Sequence, residues 1–181
     1  SDMKCGVAAF VTAAIELSEH LDGTPGLELV ITAGEEIGCQ GAFDLVRQQG
    51  ALGRAGAVLV GEPTSNFPYV GHKGAYWLTA KTSGVTAHGS MPELGENAVY
   101  RAAKAITALE NFKFSNPAHE MMGQATLNVG MVHGGLNMNS VPDEASISID
   151  IRSVPTSKHE DVRGQLQKCV GHDVELETLV D

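Results

Sequence analysis

Two adjacent carboxylates, Glu35 and Glu36, stand in the stretch VITAGEEIGCQGA, residues 30 to 42. The apolar run 27–33 is typical of a buried strand, so the pair is predicted to follow the carboxyl end of that strand. Neighbouring side chains point in different directions. One carboxylate of such a pair can bind a metal ion while the other acts as a general base toward an attacking water.

Two further carboxylates have comparable positions. Glu62 follows a second apolar run, 56–61, which is also predicted to be a buried strand, and Asp2 begins a predicted helix. Sites in open α/β sheets gather beyond the carboxyl ends of the strands, and converging carboxylates repel one another unless a cation lies between them. The four side chains therefore indicate a metal site. The alternative is that they decorate helix N-termini, where the helix dipole stabilises negative charge.

The composition excludes two classes of partner. With 181 residues, 43% of them hydrophobic and 19% charged, the chain is typical of a globular protein of one or two domains. Its net charge of −10 argues against nucleic acid, which requires clustered basic residues. Its apolar runs are far shorter than the roughly 20 residues of a membrane span. Three widely spaced cysteines favour a reducing compartment, and we expect a cytoplasmic protein.

The first 72 residues are predicted to be an incomplete parallel α/β domain. Helical spacing predicts helices over 4–21 and roughly 38–49. Together with the strands 27–33 and 56–61 they give a strand-helix-strand order, which is typical of parallel α/β units.

Residues 73–181 have a different pattern. Four segments alternate apolar and polar residues, as half-buried antiparallel strands do, and two amphipathic helices separate them. The order β-α-β-β-α-β is that of a ferredoxin-like α+β sheet. We therefore predict a domain boundary near residue 72.

Five motifs occur in order along the chain: SDMKCG, TAGEEIG, GEPT, GVTAHGSMPELGENAV and NSVPDEASISIDIR. With this order and spacing, the chain resembles the dizinc amidohydrolase and exopeptidase family of acetylornithine deacetylase, succinyl-diaminopimelate desuccinylase, aminoacylase and carboxypeptidase G. The resemblance covers nearly the whole chain. It implies a catalytic domain followed by a ferredoxin-like lid that mediates homodimer formation.

The resemblance also implies residue roles. Asp2 matches the carboxylate that bridges two zinc ions, Glu36 a ligand of one zinc, and Glu62 a ligand of the other. Glu35 matches the general base, which takes a proton from the bridging water and delivers it to the leaving amine. Cobalt or manganese would also suit such ligands.

Three lid residues match family positions. His88 matches a histidine that reaches into the partner's site and helps to hold the substrate or the oxyanion. Asn139 and Arg152 match residues that contact the carboxylate end of the substrate. Taken from the residues alone, His88 could cap a turn beside Gly89, Asn139 could be a turn residue, and Arg152 could pair with Asp150 or Glu144.

Two family ligands have no match. The family carries an H-x-D motif upstream of the bridging aspartate and a late histidine after the lid, and neither HLD at 20–22 nor HED at 159–161 has the required position. We therefore expect an internal piece of a longer enzyme that hydrolyses an amide bond in an N-acyl amino acid and is inactive alone. The alternatives are a dipeptidase or carboxypeptidase of the same family, and a chain that serves only as a dimerisation module.

Overall fold

The computed structural model describes residues 2–181, and it describes side chains from residue 3 onward. The chain divides into two compact units, Ser1–Val70 and Gly71–Asp181. Among the described residues, no helix is both long enough and apolar enough to cross a membrane.

The first unit contains both predicted helices. α1 spans Asp2–Leu17 and continues into a 3-10 turn, Ser18–His20, and α2 spans Gln40–Arg47. One side of α1 is half-buried at helical spacing, as expected of an amphipathic helix that packs along one face. This stripe consists of Met3, Gly6, Val7, Phe10, Val11 and Ala14.

The prediction of two buried strands in the first unit is wrong. Residues 27–33 and 56–61 are not in strands, and Val58, Leu59 and Val60 are 78%, 84% and 70% exposed. Because consecutive residues of an extended chain point to opposite faces, both faces of that segment lack cover. A strand requires a hydrogen-bonded neighbour, and a parallel sheet requires helices on both faces. Two helices within residues 2–70 do not provide that cover.

The second unit has the predicted β-α-β-β-α-β order. Its helices and strands are β1 (Gly74–Ser83), α3 (Ala98–Glu110), β2 (Thr126–Gly134), β3 (Glu144–Ser153), α4 (His159–Val170) and β4 (Val174–Val180). The strands form one antiparallel sheet in the order β2-β3-β1-β4, which is the ferredoxin-like arrangement. The chain as a whole is thus an α/β protein with a small antiparallel sheet.

The core of the second unit lies between one face of this sheet and the two helices. The alternation read from the sequence sets that face: β3 buries every second residue, including Ile147, Ile149 and Ile151 at 2% exposure or less. α3 faces it with a stripe of small residues and Leu109, and α4 adds Val162 and Leu166. Helix and sheet periodicity therefore meet at one apolar layer.

Candidate functional site

Glu35 and Glu36 lie in a tight turn that joins residues 27–33 to α2. The carbonyl oxygen of Glu35 accepts hydrogen bonds from the N–H groups of Gly38 and Cys39, both at 3.0 Å. Gly34 begins the turn with φ of +77°, a conformation that glycine adopts without steric cost. Both glutamate side chains are exposed. The turn therefore presents two carboxylates to solvent from a hydrogen-bonded backbone.

The start of α2 fixes the other side of this turn. The N–H of Gln40 donates to the carbonyl of Gly34 at 3.1 Å, and the N–H of Gly41 donates to the carbonyl of Ala33 at 2.9 Å. A Cβ on Gly41 would lie 2.5 Å from the Ala33 oxygen, so a side chain there would push the helix away. The sequence correctly predicts that the pair stands directly before a helix.

Glu62 and Asp2 complete the predicted acidic set. Glu62 is exposed and follows residues 56–61, and two residues beyond Pro63 the chain enters left-handed conformations at Ser65 (φ 55°) and Asn66 (φ 62°). Asp2 is the first residue of α1, but its side chain lies outside the described part of the chain.

The carboxylates that the structure describes do not fit a metal ion by themselves. From residue 3 onward, no three acidic, histidine or cysteine side chains are grouped closely enough to hold one. Structural and catalytic zinc sites use three or four protein ligands. The described residues therefore supply no complete zinc site.

His88 lies in a turn that follows β1, which we call the histidine turn (residues 87–91). Its backbone forms an antiparallel bridge with Ser140, and the N–H of Gly89 donates to the carbonyl of Asn139 at 2.8 Å. A Cβ on Gly89 would lie 3.1 Å from the carbonyl carbon of Asn139. The structure therefore brings His88 and Asn139, which are 51 residues apart in sequence, onto adjacent backbone.

Asn139 belongs to a second turn, which Asn137 organises. The side-chain oxygen of Asn137 accepts hydrogen bonds from the Asn139 N–H at 3.2 Å and from the Ser140 hydroxyl at 2.7 Å. Both His88 and Asn139 are exposed. The sequence motifs do not single out Asn137, although an asparagine or serine two residues from a candidate residue is a known turn signal.

Arg152 lies near the far end of β3. Its Nε is 3.1 Å from each carboxylate oxygen of Asp150, and the indole N–H of Trp77 donates to the same carboxylate at 2.9 Å. One of the two alternative ion pairs predicted for Arg152 is thus present. The pair is half exposed, so the guanidinium remains accessible to solvent.

The candidate lid residues lie at opposite ends of β3. Arg152 pairs with Ala75 at one end of the β1–β3 ladder, and Glu144 pairs with Ser83 at the other, beyond which the His88–Ser140 bridge continues. The eight steps along the chain from Glu144 to Arg152 span about 26 Å at about 3.3 Å per residue. Within one chain, Arg152 and the pair His88–Asn139 are too far apart to contact the same small molecule.

A Ser-His-Asp cluster elsewhere in the second unit has a structural role. His159 stacks on Tyr76 with ring centroids 4.2 Å apart, its Nε2 is 2.9 Å from the Ser153 hydroxyl, and its Nδ1 pairs with Asp181. Ser153 is only 6% exposed, and a Cβ on Gly74 would lie 2.6 Å from its oxygen. A substrate carbonyl has no room at that hydroxyl, so the cluster fastens β1, β3 and the end of β4 to α4.

Two shifted pKa values lie outside the candidate residues. A hydrogen bond from Lys81 to Glu177, together with the charge of that carboxylate, raises the pKa of Lys81. Burial raises the pKa of the Cys169 thiol, which contacts the carbonyl of Ala108. Neither group lies in the turn of Glu35 and Glu36 or in the histidine turn.

Comparison with known proteins identifies the class. The family model of the M20 peptidase dimerisation domain matches residues 70–176, and the chain belongs to this family. The match coincides with the ferredoxin-like unit that carries the histidine turn.

Relatives extend the similarity to the rest of the chain. A probable succinyl-diaminopimelate desuccinylase of Staphylococcus epidermidis is 31% identical over 208 residues, which cover 100% of this chain and 51% of that protein. A probable carboxypeptidase of Aspergillus clavatus is 35% identical over 160 residues, which cover 83% of this chain and 35% of that protein. The chain thus spans about half the length of the desuccinylase relatives that it matches.

Solved structures agree on the fold. The aminopeptidase PepT of Bacillus cereus matches with a TM-score of 0.60 and 23% identity, over 97% of this chain and 47% of that one. An aminobenzoyl-glutamate utilization protein of Klebsiella pneumoniae matches with a TM-score of 0.50 and 26% identity, over 60% of this chain and 28% of that one.

Proposed function

We propose that this chain is part of a metal-dependent hydrolase that cleaves the amide bond of N-acyl amino acids, in the manner of a desuccinylase or deacetylase. The observation that carries the proposal is the whole-chain similarity to proteins named desuccinylases, together with membership in the dimerisation-domain family. In this proposal, residues 1–72 belong to the metal-binding domain and residues 73–181 form the lid. The three unpaired cysteines support a reducing, cytoplasmic location.

Zinc is the proposed cofactor, with cobalt or manganese as substitutes, and Asp2, Glu36 and Glu62 are the proposed ligands. The described carboxylates do not form a three-ligand group, so we derive no catalytic step through the ion. We expect this chain alone to bind metal weakly or not at all, because affinity follows ligand number and a formed geometry.

Glu35 is the proposed general base. Its exposed carboxylate is carried on a turn whose backbone is fixed by two hydrogen bonds and by the start of α2. A carboxylate there can accept a proton from an attacking water and return it to the leaving amine.

The lid residues are proposed to bind the substrate. His88 would donate a hydrogen bond to the acyl oxygen, where negative charge develops, and Asn139 beside it would contact the same molecule. Arg152 would bind a substrate carboxylate with its planar guanidinium. Since about 26 Å of β3 separates the two places, His88 and Arg152 can serve one substrate only if they come from two chains.

A homodimer through the lid would meet this requirement. β2 stands at the edge of the sheet with Met131 57% and Val132 53% exposed, and Tyr100 on α3 is 70% exposed. An unpaired edge strand flanked by apolar side chains is a ready surface for a second copy.

Two alternatives have support of their own. A carboxypeptidase or dipeptidase is favoured by the similarity to the protein named carboxypeptidase. A pure dimerisation module is favoured by the exposed residues 56–60, which the rest of the first unit does not cover.

The experiment compares substrates and variants in the full-length gene product that contains this chain. We expect hydrolysis of N-succinyl and N-acetyl amino acids, loss of hydrolysis after chelation, and slower cleavage of dipeptides. Glu35→Gln should lower kcat by at least about a hundredfold, because general acid–base catalysis contributes about that much or more. Faster cleavage of dipeptides than of N-acyl amino acids would favour the peptidase. If the protein forms a stable dimer but hydrolyses none of these substrates, the result would favour the pure dimerisation module.

A further inference from the structure

The imidazole of His88 is held by Ser90, two residues further along the chain, to which the sequence motifs assign no role. The backbone N–H of Ser90 donates to His88 Nδ1 at 3.2 Å, and the Ser90 hydroxyl oxygen lies 2.7 Å from the same nitrogen. The N–H of Met91 donates to the carbonyl of His88 at 2.9 Å, which closes the turn. One ring nitrogen of His88 is therefore occupied within the histidine turn.

These contacts decide which ring nitrogen carries the proton. A backbone N–H can only donate, so Nδ1 must offer its lone pair, and in the neutral ring the proton then stands on Nε2. The Ser90 hydroxyl can rotate to donate to the same lone pair. With the opposite tautomer, the Nδ1 proton would face the backbone N–H of Ser90.

We propose that Ser90 is a positioning residue for His88. Through its N–H and its hydroxyl it orients the imidazole and keeps the ring proton on Nε2, so that the ring presents one hydrogen-bond donor to solvent. The last step, in which this donor meets the acyl oxygen of an amide substrate, rests on the function proposed above. The orientation and the tautomer do not.

The backbone around the pair supports a fixed donor. The histidine turn is pinned to the segment 139–141 by the Gly89 N–H to Asn139 bond and by the Val141 N–H to Ala87 bond, both at 2.8 Å. A donor aimed by such a backbone loses little entropy when it meets a developing oxyanion. An imidazole without these bonds would sample several orientations.

The first test measures the tautomer in the chain itself by long-range 1H–15N NMR of the histidine rings at a pH where they are neutral. The His88 signals are assigned by their loss in His88→Gln. We expect His88 to show only the Nε2–H form, whereas the exposed His172, for which the described structure gives no side-chain hydrogen bond, should show both forms. Ser90→Ala keeps the backbone N–H bond to Nδ1 and loses only the hydroxyl bond, so Nε2–H should stay the main form of His88 while an Nδ1–H fraction smaller than that of His172 appears. Ser90→Thr should remove that fraction again. A tautomer mixture in the unmodified chain, or no response to Ser90→Ala, would overturn the proposal.

The second test measures amide hydrolysis in the full-length gene product. Ser90→Ala is expected to lower kcat by about twofold to tenfold, which is the net worth of one hydrogen bond, while KM changes little and Ser90→Thr restores the rate. A loss of rate without any change of tautomer or ring orientation would overturn the positioning role. If the NMR result holds but the unmodified enzyme cleaves no amide, Ser90 still orients His88, and only the function proposed above fails.

Discussion

Replacing Gly84 by alanine should destabilise the second unit, because the backbone around this residue has no room for a Cβ. Gly84 directly follows β1 and begins the segment that carries the histidine turn. A Cβ there would lie 2.0 Å from the carbonyl oxygen of Glu96, 2.9 Å from the Ala98 nitrogen and 3.0 Å from the Pro142 oxygen. All three are backbone atoms. Since carbon and oxygen approach no closer than about 3.3 Å, the backbone must move by about 1.3 Å.

Such a shift breaks specific hydrogen bonds. Val85 and Glu96 exchange a pair of N–H to carbonyl bonds at 2.8 Å each, and the Gly84 N–H donates to Asp143 at 2.7 Å. A displacement of about 1.3 Å lengthens a bond beyond the range in which it stabilises. Two lost bonds cost about 1–3 kcal/mol and overpacking costs about 1–3 kcal/mol. Breaking the hydrogen bonds lets the backbone relax around the new Cβ, so the two costs overlap in part. We expect a total destabilisation of about 2–4 kcal/mol.

Urea unfolding monitored by tryptophan fluorescence measures this cost. Trp77, the single tryptophan of the chain, lies in β1 and so reports on the second unit. Gly164→Ala is the matched control, since Gly164 is exposed in the middle of α4 with nothing within 4 Å of its Cβ position. That substitution should stabilise the unit by about 0.5–1 kcal/mol, because alanine favours a helix interior.

The two glycines should therefore respond with opposite sign. If Gly84→Ala unfolds at the same urea concentration as the unmodified chain, the close approach of residue 84 to Glu96 is not a constraint in solution. Gly84 would then contribute nothing to holding the histidine turn in place.

Two further predictions concern stability. Ile149→Ala, in the centre of β3 with 2% exposure, should destabilise the second unit by about 2–5 kcal/mol in the same urea assay, since a buried isoleucine leaves a cavity. If Ile149→Ala destabilises the unit no more than a substitution at an exposed position does, Ile149 does not lie in the core. The interaction with Glu177 raises the pKa of Lys81 above its ordinary 10.5, so its stabilisation is fully present below that pH and is lost as the pH rises through the raised pKa. Lys81→Met should remove this alkaline loss and change little at neutral pH, because exposed ion pairs are weak; thermal unfolding across the alkaline range checks it.

The sequence predicts the second unit well because its signals are local and complete. Alternation in β1, β3 and β4 and helical spacing in α3 and α4 each identify one buried face, and these five faces close on one core. β2 adds only the half-buried Leu127 and Val129. The first unit shows the limit of that reasoning. The run 56–61 has the composition of a buried strand, but a strand requires a neighbour, which composition does not supply.

The candidate site likewise has one part that the sequence predicts and one part that it does not. The turn at Glu35 and Glu36 is predictable, since a glycine after an apolar run and before a helical pattern marks it. The proximity of His88 and Asn139 is not, because it arises from a backbone bridge between residues far apart in sequence. Ser90 and Asn137 act through short-range hydrogen bonds that many serine and asparagine residues could form, and only the folded structure distinguishes these two from the others.

The length of β3 connects dimer formation to the proposed chemistry, and this connection can be tested directly. If each site takes His88 from one chain and Arg152 from the other, His88→Gln and Arg152→Gln should each inactivate the full-length dimer. Mixing the two variants under conditions where subunits exchange should restore activity. About half of the dimers would then be mixed and would hold one intact site of two, so about a quarter of the unmodified activity should return. No recovery, in a sample shown to contain mixed dimers, would mean that the two residues do not serve one substrate from different chains.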